Sequence, residues 1–226
     1  MTKISLIFTA KNELALVSRA LDSIIKTAYS LKDLEVILCL DENGINDYDT
    51  SCASLKITKL VQNRDTLGNT LRKSYSISSG RYIFIVNDDI IFRTDHWDRA
   101  VLNAFGKFPD DIALVYGNDP YQNGRLATFP VLSRATVELM DNICPPEYVR
   151  FFIDKHIFDI FKKLSQLGHD RFVYLDDVIF EQIQIPKTNM NDLTIDEMVF
   201  IVSDEYRGYL AVKMAQYIEN IASQVK

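Results

Sequence analysis

The chain has 226 residues, a net charge of −6, 47% hydrophobic and 25% charged residues, enough for one sizeable core in an ordinary globular protein. The acidic balance argues against nucleic acid, which needs a basic groove, but not against a nucleotide, which needs only a few local donors. No stretch reaches the ~18 apolar residues of a membrane span, and no basic-then-apolar leader opens the chain. The three cysteines, Cys39, Cys52 and Cys144, lack metal-ligand spacing and suit a reducing compartment. These features point to a cytoplasmic protein, with peripheral membrane contact left open.

In chain order, residues 4–8 form a short apolar run that predicts a strand. Leu14, Val17, Leu21, Ile24, Ile25 and Ala28 recur at helical spacing, predicting a helix. Residues 35–40 read as a second strand and 57–61 as a shorter third. Residues 68–78 read as a helix closed by Ser79-Gly80, and 82–86 as a buried strand. A helix over 97–108 ends before Pro109, and a strand follows at 112–116. Strands alternating with helices in this way predict an α/β fold, a mostly parallel central sheet flanked by helices.

Beyond residue 120 the pattern is less regular. Residues 134–142 and 154–167 read as helices and 172–185 as one or two strands. Residues 187–193 are polar and expected to be a mobile loop able to close over a ligand. Residues 204–225 form a last helix striped by Leu210, Met214, Tyr217, Ile218 and Ile221. With no internal repeat, the expectation is one domain: a nucleotide-binding half over 1–120, a second half over 121–202, and a C-terminal helix over 203–226.

The chemistry is concentrated where polar residues close apolar strands. In a parallel sheet the ligand lies outside the carboxyl ends of the strands. Three such ends are polar here: Thr9-Ala10-Lys11-Asn12, Asp41-Glu42-Asn43 and Asn87-Asp88-Asp89. Adjacent carboxylates repel, and a fold keeps them buried cheaply only with a cation or strong donor between them. Asp88 and Asp89 are therefore candidate ligands for Mg²⁺ or Mn²⁺ carrying a phosphate; the alternative is a solvated pair in a turn.

The segment 4–13, then Asp41, then 80–89 resembles the nucleotide-binding half of a family 2-like glycosyltransferase of the Rossmann-like GT-A fold, of the small bacterial and viral kind. The resemblance implies a nucleoside-diphosphate-sugar donor, a glycan or lipid-linked glycan acceptor, and Mn²⁺ or Mg²⁺ at Asp88 and Asp89. It implies that Thr9, Ala10, Asn12 and Asp41 border the base or ribose. Arg72 or Lys73 would neighbour the phosphates, and Asn87 would close the metal-binding strand. Phe129 to Arg134 resembles a segment bordering the donor sugar, with Arg134 as a contact, and Asn118-Asp119 is a further candidate there. At the acidic helix start, Asp154 matches the catalytic base of inverting members and Asp159 is second; the alternative for Asp154 is a helix N-cap. The resemblance also implies histidines after Glu181, where this chain has Gln182 and Gln184, weakening or abolishing the metal site. Two rivals stand beside a transferase: a catalytically silent nucleotide or sugar binder, and a nucleotidyltransferase, whose glycine-rich N-terminal loop is missing here.

Overall fold

A computed structural model of the chain describes residues 2–10, 14–41, 54–63, 65–183 and 189–224; side chains of Leu14 and Asp41 are outside the description. Eight strands form a mixed sheet in the order β3-β2-β1-β4-β7-β6-β8-β5. They are β1 Ile4–Thr9, β2 Leu34–Asp41, β3 Lys56–Gln62, β4 Tyr82–Asn87, β5 Ile90–Phe92, β6 Leu114–Asn118, β7 Val131–Ser133 and β8 Phe172–Gln182. Strands β3, β2, β1 and β4 are mutually parallel. Strand β7 inserts antiparallel between β4 and β6, so β6 and β8 again run with the first four. The helices are α1 Leu14–Thr27, α2 Leu67–Ile77, α3 Trp97–Phe105, α4 Arg134–Leu139, α5 Ile153–Gln166, α6 Met190–Val202 and α7 Asp204–Gln224.

The alternation of side chains along the strands divides the core into two layers. Ile4, Leu6 and Phe8 face α1 and α3, where Phe84, Phe92, Trp97 and Phe180 form an aromatic cluster. Ile7, Ile83 and Ile85 face the other way, toward Ile157, Ile160 and Phe161 of α5 and Leu210 and Met214 of α7. Strands buried on both faces read as continuous apolar runs, as β1, β2 and β4 do.

The C-terminal third is held by polar contacts. Arg207 of α7, only 1% exposed, donates through Nε to Asp159 Oδ2 at 2.6 Å and through Nη1 to the Phe200 carbonyl and Ser203 Oγ. The fully buried Asp196 of α6 accepts three backbone N–H groups, from Val149, Arg150 and Phe151, at 2.6 to 2.8 Å. Residues 190–193, expected in a loop, are the first turn of α6. Its apolar residues lie all round the helix, so no amphipathic stripe announces it.

Candidate active site

The register aligns three strand ends at one edge. Thr9 pairs with Cys39 on one side and Asn87 on the other. Thr9 Oγ1 donates to Asn87 Oδ1 at 3.1 Å, and the Ala10 amide donates to the Cys39 carbonyl at 3.3 Å. Two residues beyond Cys39, Asp41 closes β2 opposite Gln62 of β3. Thr9, Ala10, Asp41 and Asn87 therefore stand on one rim. The Asp41 side chain and all of Asn12 and Gln184 lie outside the described residues.

Asp88 and Asp89 form the two-residue turn from β4 into β5, which reverses because Ile90, Ile91 and Phe92 pair antiparallel with β8. Both carboxylates are buried, 6% and 8% exposed. Gln182 Nε2 donates to Asp89 Oδ2 at 3.1 Å, and the Ile183 amide donates to the Asp89 carbonyl at 3.0 Å. Asp89 Oδ1 is buried without a hydrogen-bond partner among the described residues. Burial pushes the Asp89 carboxyl above the usual carboxylate range, opposed by the Gln182 hydrogen bond; Asp119 adds repulsion and Arg19 attraction. Position 182, where the resemblance implies histidine, thus touches the acidic pair, and the glutamine there is a donor. Beside it is a cavity of about 270 Å³ lined by Pro120, Tyr121, Glu181, Gln182 and Ile183.

Next to this turn, β6 bulges between Gly117 and Asn118. A Cβ on Gly117 would come within 2.5 Å of the Val178 carbonyl and the Phe180 ring, so only glycine allows β8 this close. The bulge leads into Asp119, whose buried carboxylate accepts from the Tyr121 amide and Thr128 Oγ1. That geometry gives Asp119 a role in shaping the loop.

Asp154 lies in the first turn of α5, with Phe152 at the N-cap in the left-handed region at φ 67°. It is therefore not the cap residue. Helix α5 ends shortly before β8 begins at the N-terminal edge, so its first turn stands on the same side as the acidic pair. Asp154 Oδ1 accepts from the Lys155 amide at 2.8 Å, and burial raises its carboxyl above the usual range, against that hydrogen bond and the Lys155 charge.

Four expected site residues are placed elsewhere. Asp159 is engaged by Arg207 on the α5 face toward α7, which makes it a structural anchor. Arg134 follows β7; because β7 runs antiparallel, Ser133 pairs with Tyr82 at the start of β4. Arg134 then donates to the carbonyls of Gly80 and Ser78, at the edge opposite the acidic pair and about 20 Å away along the strand. Lys73 pairs with Asp65 at 2.6 Å on the outer face of α2. Arg72 donates to the Cys144 carbonyl at 3.2 Å and lines a different cavity.

One rim residue, Gln62, escaped the sequence reading, which names Asn118 as a candidate. Among the described residues, five buried side-chain polar atoms lack a partner, and three sit at the carboxyl edge: Gln62 Oε1, Asp89 Oδ1 and Asn118 Oδ1. Buried unsatisfied oxygens are costly and flag a site that a ligand completes. Gln62 and Asn118 each close an apolar strand, the same signal that singled out Asn87. Arg19 lies on the polar face of α1 and gives no such signal.

The sequence matches the family model described as glycosyl transferase family 2 over residues 5–158. No curated protein matches it. Among solved structures, it is similar to the mannosyltransferase PcManGT from Pyrobaculum calidifontis in complex with GDP-Man and Mn²⁺, with TM-score 0.64 and 16% identity over 96% of this chain and 69% of that one. It is similar to S. aureus TarS 1-349 in complex with UDP-GlcNAc, with TM-score 0.61 and 15% identity over 88% of this chain and 65% of that one. It is also similar to glucosyl-3-phosphoglycerate synthase from Mycobacterium tuberculosis in complex with Mg²⁺ and UDP, with TM-score 0.59 and 18% identity over 91% and 79% of the two chains. At these identities the likeness establishes the GT-A fold.

Proposed function

This chain belongs to glycosyl transferase family 2, and from that premise we propose that it moves a sugar from a nucleoside-diphosphate donor to a hydroxyl of a glycan or glycoconjugate, with inversion. The observation that carries the reading is the buried, unpartnered Asp89 oxygen beside Asp88 at the carboxyl edge of the parallel strands. Two hard carboxylates suit Mn²⁺ or Mg²⁺, and Mg²⁺ in such sites takes one or two carboxylates, with substrate phosphate and water as its other ligands. Among the described residues no group of three or more His, Cys, Asp or Glu could hold a metal alone, which fits a cation that arrives with its diphosphate. When bound, such a cation stabilises charge on the departing diphosphate.

The chain's own residues supply the rest. Thr9, Ala10 and Asn87, with Asp41 beyond them, offer the rim for the nucleoside. Asp154 takes the acceptor proton as the acceptor oxygen bonds to the anomeric carbon and the bond to the diphosphate breaks. A carboxylate pushed above its usual range is a better proton acceptor than an ordinary one. The complexes of the structural relatives with GDP-Man and with UDP support starting from guanosine and uridine donors.

Incubation with those nucleotide sugars, with and without Mn²⁺, should give cation-dependent donor hydrolysis in the absence of acceptor, lost when Asp88 and Asp89 are both changed to Ala. Cation-dependent nucleotide binding without turnover would favour the silent binder, the reading that Gln182 at the acidic pair keeps in play. Turnover indifferent to both carboxylates would end the proposal.

A further inference from the structure

Away from the acidic pair, a cavity of about 290 Å³ opens between α2, the segment over 140–147, α5 and α7. It shares no lining residue with the cavity beside Gln182. Its volume exceeds the ~30 Å³ share of one water several-fold and approaches the lower bound of ligand pockets.

Two side chains in its wall have unspent hydrogen-bonding capacity. Arg72 gives Nη1 to the Cys144 carbonyl and makes no ion pair with a described residue. His156 is 1% exposed; its Nδ1 meets the Tyr148 hydroxyl at 3.0 Å, and its Nε2 is buried with no partner among the described residues. Burial and the nearby Arg207 charge hold the imidazole far below its ordinary range, at about 3, so the ring is neutral at pH 7. In the tautomer in which the Tyr148 hydroxyl donates to Nδ1, Nε2 carries the proton and is the free donor. Asn142 also lines the cavity, and the exposed Glu147 stands at its mouth. The neighbouring Asp141 is already paired with Lys213 at 2.6 Å.

A guanidinium and a neutral N–H donor in one pocket match an oxyanion, since planar and tetrahedral anions both accept from such a pair. We propose that this cavity is a second ligand site, for a small molecule that presents a carboxylate or a phosphate monoester to Arg72 and His156. The pocket is also placed to be felt elsewhere. Its wall carries Pro146, whose carbonyl accepts from Thr66 Oγ1 at the start of α2, and His156 lies two residues from Asp154 on α5.

The test is an NMR titration of ¹⁵N-histidine-labelled protein with inorganic phosphate and, separately, with acetate, at ionic strength matched by chloride. Only three histidines are present, so His156 Nε2 can be followed directly. The expected result is a saturable shift of Nε2 with at least one anion, while His96 and His169 stay put; the tighter anion names the headgroup. The same titration on Arg72→Gln should show affinity lower by about tenfold or more. No saturable shift in the unaltered protein with either anion, or an unchanged midpoint in the variant, means the cavity holds only water. Because the unaltered protein gives the primary readout, a variant that misfolds does not rescue the idea. Failure here leaves the acidic-pair reading untouched.

Discussion

Replacing Asp89 with Asn should stabilise the ligand-free protein while abolishing its response to a metal–nucleotide pair. The carboxylate is buried, one oxygen has no partner among the described residues, and Asp119 repels it. An amide removes the charge, and its carbonyl can still accept from Gln182. Relief of an unsatisfied buried group is worth about 1–3 kcal/mol; with a donor left in the old Oδ1 position, roughly 1 kcal/mol of gain is expected, or about 2–4 °C for a chain of this size. The pH dependence fixes the sign. The folded carboxyl titrates above its model value of 3.8, so the native state binds the extra proton between the two values, and stability falls as pH rises through that window. The advantage of the variant is thus complete above the folded value and vanishes below the unfolded one. Saturating Mn²⁺ plus UDP or GDP at 100 times Kd adds about 2.7 kcal/mol to the unaltered protein and nothing to the variant. Thermal melts in the four combinations decide it. A variant that melts lower without ligand, yet still rises with metal and nucleotide, would refute the reasoning.

Changing Asp154 to Asn should lower kcat by about 10²–10⁴-fold with nucleotide affinity unchanged by calorimetry. In the unaltered enzyme the rate should fall as pH drops through a value above the ordinary carboxylate range. Gln182→His places an imidazole at the acidic pair and should tighten Mn²⁺ by roughly tenfold, read by titration calorimetry in the presence of UDP. Arg207→Met strips the buried guanidinium from Asp159 and the Phe200 carbonyl; discounted for the partial exposure of Asp159, the expected loss is about 2–3 kcal/mol, measured by urea unfolding.

The first 120 residues were legible because β1, β2 and β4 are buried on both faces and end in polar residues, so apolar runs and their terminators gave both the sheet and its rim. What stayed hidden was direction and partnership. Strands β5 and β7 have three residues each, too few for a period. The reversal of β7 carries Arg134 to the opposite edge, a consequence of pairing that no local pattern encodes. Arg72 sat at the expected point on α2, but its guanidinium meets the Cys144 carbonyl 72 positions later in the chain. Asp159 and Asp154 look alike in sequence, and only the packing of α7 shows that one is a tether.

The Asp196 carboxylate gathers the amides of three consecutive residues just ahead of α5, so the proposed proton acceptor is steered from a part of the chain that the matched family segment, ending at residue 158, does not include. Grafting the tail of a relative onto the first 180 residues would therefore disturb turnover before it disturbed nucleotide capture, because the leash on the chemistry comes from one end and the cradle for the donor from the other.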